Sequence, residues 1–244
     1  VERDIDVFKA LEEEIESFKP GIICISTVDP NHTFGMELLK HCKELYPNIP
    51  TISGGPLSTL VPGDVIAEDC VDMIGRGEAE ERLVDVCDTF EKYGLDGWDK
   101  LYNIDNFWVK DKDYKNNGII HKNPVGLPEI SQGLAPDLSI FDPRHFLRPL
   151  GGRMYNMATV IWTRGCVFRC SYCANETFYK AAKASAKQYY RKKDTKLLVK
   201  ELAEFKEKYN LNFLMFVDDI FPLHEPDVME EFCRLYKEHV GLPF

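Results

Sequence analysis

The stretch Ile22-Ile23-Cys24-Ile25-Ser26 has no polar–apolar alternation, so a strand formed there would be buried on both faces. Strands of that kind belong to parallel sheets, where each pair is joined by a crossover, usually a helix. The flanking sequence supplies such helices. Before it, "VFKALEEEIESF" (residues 7–18) is amphipathic at helical spacing and is stopped by Lys19-Pro20-Gly21. After it come a helix (34–45), a strand ("PTISGG", 50–55), a short helical stretch (61–69), a strand ("VDMIGRG", 71–77) and a helix (78–93). This alternation predicts an α/β domain of doubly wound, Rossmann-like type over residues 1–93.

Between about residues 94 and 152 the helical period disappears. "NFWVKDKDYKNNGIIHKNP" predicts two strands around the turn signal Asn116-Asn117-Gly118. The following "LPEISQGLAPDLSIFDPRHFLRPLGG" reads as an ordered Pro- and Gly-rich linker anchored by Phe141 and Phe146. At Ala158 the alternation resumes. "ATVIWT" is a strand; "DTKLLVKELAEFKEKYN" is a helix capped by Asp194, with an apolar face at Leu198, Leu202 and Phe205 and Asn210 near its end. "NFLMFVDD" is a buried strand ending in two carboxylates, and "EPDVMEEFCRLYKEHVG" is a further helix stopped by Gly241. Residues 153–244 thus read as a second domain, a β/α repeat of about two units. A start at Val1 and an end at "GLPF" suggest a fragment cut at both ends, and turnover by it alone is expected to be poor.

With a formal net charge of −10 and a sequence pI near 5.2, broad binding to nucleic acid or membrane surfaces is disfavoured. No stretch approaches the roughly 20 apolar residues of a membrane span, and no secretory leader opens the chain, so a cytoplasmic location is expected. In a reducing cytosol lone cysteines are usually small buried hydrophobes, and Cys24, Cys42, Cys70, Cys87 and Cys233 read that way. Against the net charge, Lys180, Lys183, Lys187 and Arg191 fall at helical spacing on one face, followed by Lys192, Lys193 and Lys196, with Tyr189 and Tyr190 among them. A solvated face is the ordinary reading; an anionic substrate, a reductant protein or a cofactor phosphate is the sharper one.

The remaining cysteines cluster in "TRGCVFRCSYCANET": Cys166, Cys170 and Cys173. A zinc site usually pairs two such ligands with a second pair farther along, and His145 and His224 stand alone. An electron-transfer cluster needs a fourth thiolate, for which Cys233 in a helix is the downstream candidate. The third reading is a four-iron four-sulfur (4Fe–4S) cluster with one iron left open for an exogenous ligand, on a loop after a barrel strand, where β/α barrels place their chemistry.

The arrangement Cys166, Cys170, Tyr172, Cys173 resembles the signature of radical S-adenosylmethionine enzymes. That resemblance implies that the three cysteines hold the cluster, that S-adenosylmethionine chelates the fourth iron, and that Tyr172 lies beside its adenine. Tyr172 could equally pack under the loop. Asp218-Asp219 could be a solvated loop or a helix cap. In the subgroup this chain resembles, however, "VDD" followed by an aromatic, here Phe221, closes the second strand, and its carboxylates suit an ammonium group. The barrel implied is a partial TIM-type radical S-adenosylmethionine domain.

In the first domain Ser26-Thr27, Gly54-Gly55-Pro56 and Gly75-Arg76-Gly77-Glu78 end three successive strands. Glycines there permit tight turns, and bare backbone at such an edge also admits a large cofactor. The order of these motifs, then hairpin, linker and cysteine loop, resembles the cobalamin-binding class of radical S-adenosylmethionine enzymes over nearly the whole chain. The resemblance implies that Ser26, Thr27, Gly54, Gly55, Pro56, Gly77 and Glu78 line a cobalamin site. The Asp-x-His-x-x-Gly loop of many cobalamin domains is absent, and His32 and His41 stand in another context. It further implies reductive cleavage of S-adenosylmethionine to a 5′-deoxyadenosyl radical and methyl transfer through cobalamin to an unactivated carbon of a small-molecule substrate. An electron-donor protein such as flavodoxin or ferredoxin would be the partner. A radical cyclase or rearrangement enzyme is the alternative, and a non-catalytic iron–sulfur or cobalamin sensor is the alternative of another class.

Overall fold

In the computed structural model, which describes residues 6–131 and 135–244, helix α1 (Val7–Phe18) begins on Asp6. The Asp6 carboxylate accepts the N–H groups of Phe8 (3.1 Å) and Lys9 (3.2 Å), two donors the first turn cannot satisfy itself. Lys19, in the left-handed region at φ 53°, ends the helix just before Pro20. There follow β1 (Ile23–Ser26), α2 (His32–Leu45), β2 (Thr51–Gly54), α3 (Pro56–Leu60), α4 (Pro62–Ala67), β3 (Met73–Gly75) and α5 (Glu80–Tyr93). The three strands are parallel and adjacent, with Ile23 opposite Thr51 and Ile52 opposite Met73.

The hairpin expected between the domains is instead part of this sheet. Strand β4 (Phe107–Lys110) pairs antiparallel with β3, Gly75 opposite Phe107, and β5 (Ile120–Lys122) pairs with β4. Between them the one-turn helix α6 (Tyr114–Asn117) ends at Gly118, at φ 65°, the left-handed geometry that the Asn-Asn-Gly signal foretold. A 3-10 helix over Gly94–Asn103, invisible as periodicity, leads into the hairpin. The sheet runs in the order β1-β2-β3-β4-β5. Strands β2 and β3 are covered on both faces: Met36, Leu39, Val65 and Ile66 pack with Ile74 on one side, and Val86, Leu101 and Phe107 pack with Ile52 and Met73 on the other. Strand β1, expected to be buried on both faces, is instead the edge strand and alternates, with Cys24 and Ser26 exposed, because no further strand pairs beside it among the described residues. This first unit runs to Pro128 and takes in Lys180–Lys183, so the 94–152 segment is shared between two units rather than forming a connector of its own.

The second unit comprises Glu129–Tyr179 and Ala184–Phe244; residues 132–134 of the expected linker lie outside the described residues. Strands β6 (Leu147–Leu150) and β7 (Arg153–Val160) form a hairpin turned by Gly151 and Gly152, at φ 57° and 75°. Then come the two-residue strand β8 (Thr163–Arg164), α7 (Asn175–Ala181), α8 (Ala186–Tyr189), β9 (Arg191–Lys192), α9 (Thr195–Lys208), β10 (Phe213–Phe216) and α10 (Pro226–His239). Strands β7 and β10 are parallel, Ala158 opposite Leu214, with α9 as the crossover. Their core is Trp162, Leu198, Leu202, Leu214 and Phe232, all within 1 % of full burial, with Phe146 from the linker joining it. Phe141, the other expected anchor, is 42 % exposed and stacks on His145.

Two sequence expectations change. Cys24, Cys87 and Cys233 are exposed; only Cys42 and Cys70 are the buried hydrophobes expected of all five. The single basic helical face also does not form: α7 stops at Ala181, Lys183 turns left-handed at φ 52°, and Ser185 starts α8 by a capping box with Gln188.

Candidate functional site

In the first unit parallel strands leave their carboxyl ends on one edge. Gly55 follows β2 with φ 87°, and a Cβ there would lie 2.7 Å from Ser26 Oγ and 2.8 Å from the Thr27 carbonyl oxygen. Only glycine lets these two turns approach so closely. The Thr27 N–H donates to the Gly54 carbonyl (3.2 Å), and the buried Thr27 hydroxyl stands 3.3 Å from His32 Nδ1. His32, set apart in the sequence, therefore sits on this rim at the start of α2.

The turns are laced together by hydroxyls. Ser58 donates to the Gly54 carbonyl (3.2 Å), and Thr59 donates to that of Gly55 (3.5 Å) while accepting the Gly77 N–H (2.7 Å). Asn106, left-handed at φ 67°, reaches the carbonyls of Arg76, Glu78 and Gly126 and accepts the Gly126 N–H (2.9 Å). Ser26, Thr27, Gly54, Gly55, Pro56, Gly77 and Glu78 thus lie along one sheet edge. A rim of small residues and bare backbone at the carboxyl ends of parallel strands is the kind of edge that a large ligand such as a corrinoid can approach closely.

In the second unit the cysteine loop is rooted by Trp162. Its indole stacks on Phe232 (4.6 Å between centroids) and donates to the Lys193 carbonyl (3.1 Å), and the Lys193 N–H returns a bond to the Trp162 carbonyl (3.0 Å). Pairing of β8 with β9, Arg164 opposite Arg191, closes the excursion over residues 165–190. Gly165 has φ 80°, and a Cβ there would fall 2.5 Å from the Tyr189 ring.

Within the loop Cys166 is half-buried and its Sγ accepts the Phe168 N–H (3.4 Å). Cys170 and Cys173 are exposed, joined by a tight turn in which the Cys173 N–H donates to the Cys170 carbonyl (3.0 Å). All three are free thiols. Tyr172 is 90 % exposed, and its hydroxyl lies against Cys170, whose thiol raises its pKa. Among the described residues no three His, Cys, Asp or Glu side chains converge as a ready-made metal site. Soft thiols on a short loop, with Phe168 and Tyr172 exposed around them, nevertheless suit an iron–sulfur group that the loop would wrap.

The carboxyl end of β10 is clasped to the same root. Asp218 Oδ1 accepts the Trp162 N–H (2.9 Å) and the Thr163 N–H, and the Thr163 hydroxyl donates to the Ile220 carbonyl (2.8 Å). Asp218 Oδ2 is buried with no donor. Burial pushes the Asp218 carboxyl above its ordinary range, overriding the two N–H groups that favour its ionised form. Asp219 is exposed. Beside this clasp Tyr190 donates to Glu225 Oε1 (2.8 Å) and Lys192 pairs with Oε2; burial first, then Glu225, holds the Tyr190 hydroxyl far above the usual phenol range. An orphaned buried acceptor beside a thiol loop lacks a donor, which an ammonium is able to supply.

Comparison with known proteins agrees with both halves. Residues 1–87 match the B12 binding domain family. The anaerobic magnesium-protoporphyrin IX monomethyl ester cyclase of Cereibacter sphaeroides is 27 % identical over 96 % of this chain and 35 % of its own length. The chain thus spans about a third of that curated relative. The cobalamin-dependent S-adenosylmethionine radical enzyme OxsB, solved with aqua-cobalamin and S-adenosylmethionine bound, superposes with a TM-score of 0.70, at 16 % identity, over 96 % of this chain and 31 % of its own. The chain has the fold of a cobalamin-dependent radical S-adenosylmethionine enzyme. The radical S-adenosylmethionine methyltransferase TsrM from Kitasatospora setae, solved with tryptophan substrate and a S-adenosylmethionine analogue, shares that fold at a TM-score of 0.66 and 15 % identity, over 96 % of this chain and 44 % of its own.

On this cobalamin–radical fold, the residues missed by sequence reasoning are those that work through the backbone. Ser58 and Thr59 could have been read from their spacing of four after Gly54 and Gly55, which puts their hydroxyls over the preceding carbonyls. Trp162, Tyr190, Glu225 and Asn106 left no local signal, since each acts on a partner 20 or more residues away. No helix among the described residues is long and apolar enough to cross a membrane.

Proposed function

We propose that this chain acts as a cobalamin-dependent radical S-adenosylmethionine enzyme. Cys166, Cys170 and Cys173 would hold a 4Fe–4S cluster, Asp218 and Asp219 would receive the amine of S-adenosylmethionine, and Tyr172 would cover its adenine. The rim of Ser26, Thr27, Gly54, Gly55, Pro56, Gly77 and Glu78 would carry cobalamin. When bound, the cluster supplies the electron that cleaves S-adenosylmethionine, and cobalamin supplies carriage of a methyl group. The chain's own part is positional. Asp218 ties the loop root to β10 and keeps one oxygen for a donor; Trp162 and Phe232 keep water from beneath the root; Gly55 lets the turns after β1 and β2 close against each other. A small-molecule substrate, an electron-donor protein and a cytoplasmic setting complete the reading.

The observation that carries it is the clasp: three free thiols on one loop whose root is bonded to a carboxylate with an unused buried oxygen. Anaerobic reconstitution with iron and sulfide tests it. The expected result is a cluster absorption lost in Cys166→Ala, Cys170→Ala and Cys173→Ala, and 5′-deoxyadenosine formed on reduction with S-adenosylmethionine. A cluster that survives all three replacements, or no nucleoside from a loaded cluster, counts against it; the second result would favour a sensor.

The finer chemistry proposed is methyl transfer to an unactivated carbon, in keeping with the methyltransferase among the structural neighbours. Radical cyclisation is the second reading, favoured by the cyclase at 27 % identity. S-Adenosylmethionine labelled in its methyl group separates them: label in the product means methylation.

A further inference from the structure

Arg76 stands between β3 and Gly77, on the edge described above, and its guanidinium carbon lies 4.6 Å from the centroid of the Trp108 ring. Lys122, the last residue of β5, places its ammonium nitrogen 4.6 Å from the same ring. Strand pairing fixes the arrangement. Ile74 is opposite Trp108 and Trp108 is opposite Lys122, so these side chains share one face of the sheet, and Arg76 follows Ile74 by two residues on that face. Strands β4 and β5 run antiparallel, which brings the start of β4 and the end of β5 to the carboxyl edge of β3.

Some cations of this acidic chain have carboxylates beside them, as Lys43 has Asp72 (2.6 Å) and Lys193 has Glu201 (2.6 Å). Among the described residues no carboxylate pairs with Arg76 or Lys122. Arg76 Nε and Trp108 Nε1 are both buried and donate to nothing, and burial lowers the Arg76 pKa. Two cations against one indole, with two unused buried donors on Arg76 and Trp108, form a site whose missing partner is an anion.

We propose that Arg76 and Lys122, each packed against Trp108, hold the phosphate of a ligand lying along this sheet edge. A guanidinium meets phosphate through a two-pronged hydrogen-bonded fork, and the ammonium adds a point charge. Thr59, which receives the Gly77 N–H and donates to Gly55, makes the platform continuous with the glycine rim. The inference rests on the cobalamin reading for one of two sources: the phosphodiester of the cobalamin nucleotide tail. The other is a separate phosphate-bearing molecule.

The test compares aquacobalamin, cobinamide (which lacks the nucleotide tail and its phosphate) and inorganic phosphate on the whole chain. Arg76→Gln should weaken aquacobalamin at least tenfold, Lys122→Gln by less, and neither should change cobinamide affinity. Circular dichroism and thermal melting verify that the variants fold. Phosphate should shift the Trp108 indole N–H resonance, assigned with Trp108→Phe, and the shift should vanish in Arg76→Gln. If phosphate also competes with aquacobalamin but not with cobinamide, the nucleotide tail is the source; phosphate binding without competition assigns a separate ligand. Failure of the chain to bind either corrinoid would overturn the cobalamin reading alone, because the phosphate-dependent shift still decides the site. A Trp108 signal indifferent to phosphate, with Arg76→Gln affinities that change equally for both corrinoids or not at all, would overturn the site.

Discussion

Replacing Asp218 separates its service to the fold from its proposed service to a ligand. Its Oδ1 accepts two backbone donors, on Trp162 and Thr163, at residues at most 1 % exposed. Asp218→Ala strands both N–H groups, at about 1–3 kcal/mol each, and relieves one buried unpaired oxygen worth a similar amount. The net loss is about 1–3 kcal/mol. Asp218→Asn keeps Oδ1 and removes the charge, so it should stay within about 1 kcal/mol of the parent. Urea unfolding followed by tryptophan fluorescence, with Trp162 reporting on the second unit, measures both. The pH dependence gives a second handle. Burial raises the folded carboxyl above its ordinary 3.8, so the folded state holds this proton more tightly than the unfolded chain does. Asp218 therefore contributes stability that is complete below 3.8 and is lost as pH rises through the folded value. Asp218→Asn should lack that decline. Equal stability of the Ala and Asn variants, across that pH range and at neutrality, would refute the clasp.

Gly55→Ala must accept φ 87° and a Cβ 2.7 Å from Ser26 Oγ, so a loss of about 1–2 kcal/mol in thermal unfolding is expected, with weaker corrinoid binding by absorbance titration. Leu202→Ala, at a fully buried position in the second core, should cost about 2–5 kcal/mol in urea without changing corrinoid affinity. Thr59→Val removes the hydroxyl that links the Gly55 and Gly77 turns, at about 1 kcal/mol or more by the same assay, since it leaves the Gly77 N–H without its acceptor. Glu225→Gln should bring the Tyr190 hydroxyl back toward the ordinary phenol range in a spectrophotometric titration; an unmoved Tyr190 would leave burial as the whole cause.

What the sequence made legible is what depends on neighbours along the chain. Strands β1, β2 and β3 follow from apolar runs, and the rim follows from strand polarity, because parallel strands end on one edge and bring Ser26, Gly54 and Gly77 to it. The hairpin turn was legible from Gly118, but not its attachment to β3, since pairing of Gly75 with Phe107 depends on tertiary packing rather than on pattern. The basic face failed for a comparable reason. Helical spacing of Lys180, Lys183, Lys187 and Arg191 is necessary for a common face, yet a left-handed Lys183 and a capping Ser185 interrupt the helix between them. Asp218 makes the contrast sharpest. Its position at the end of a strand was visible, although that strand, expected to be buried, leaves Met215 exposed; its bond to Trp162, 56 residues earlier, was not visible. A strand-end carboxylate could have been solvent-exposed, as Asp219 is. The parallel pairing of β7 and β10 instead carries it onto the root of the cysteine loop, and the Val217 N–H bond to the Val160 carbonyl (3.1 Å) continues that pairing to the residue before it. Asp218 and the thiol loop are therefore fixed to one another by the same ladder, so a shift in the β7–β10 register would move both the cysteine loop and the carboxylate that anchors it.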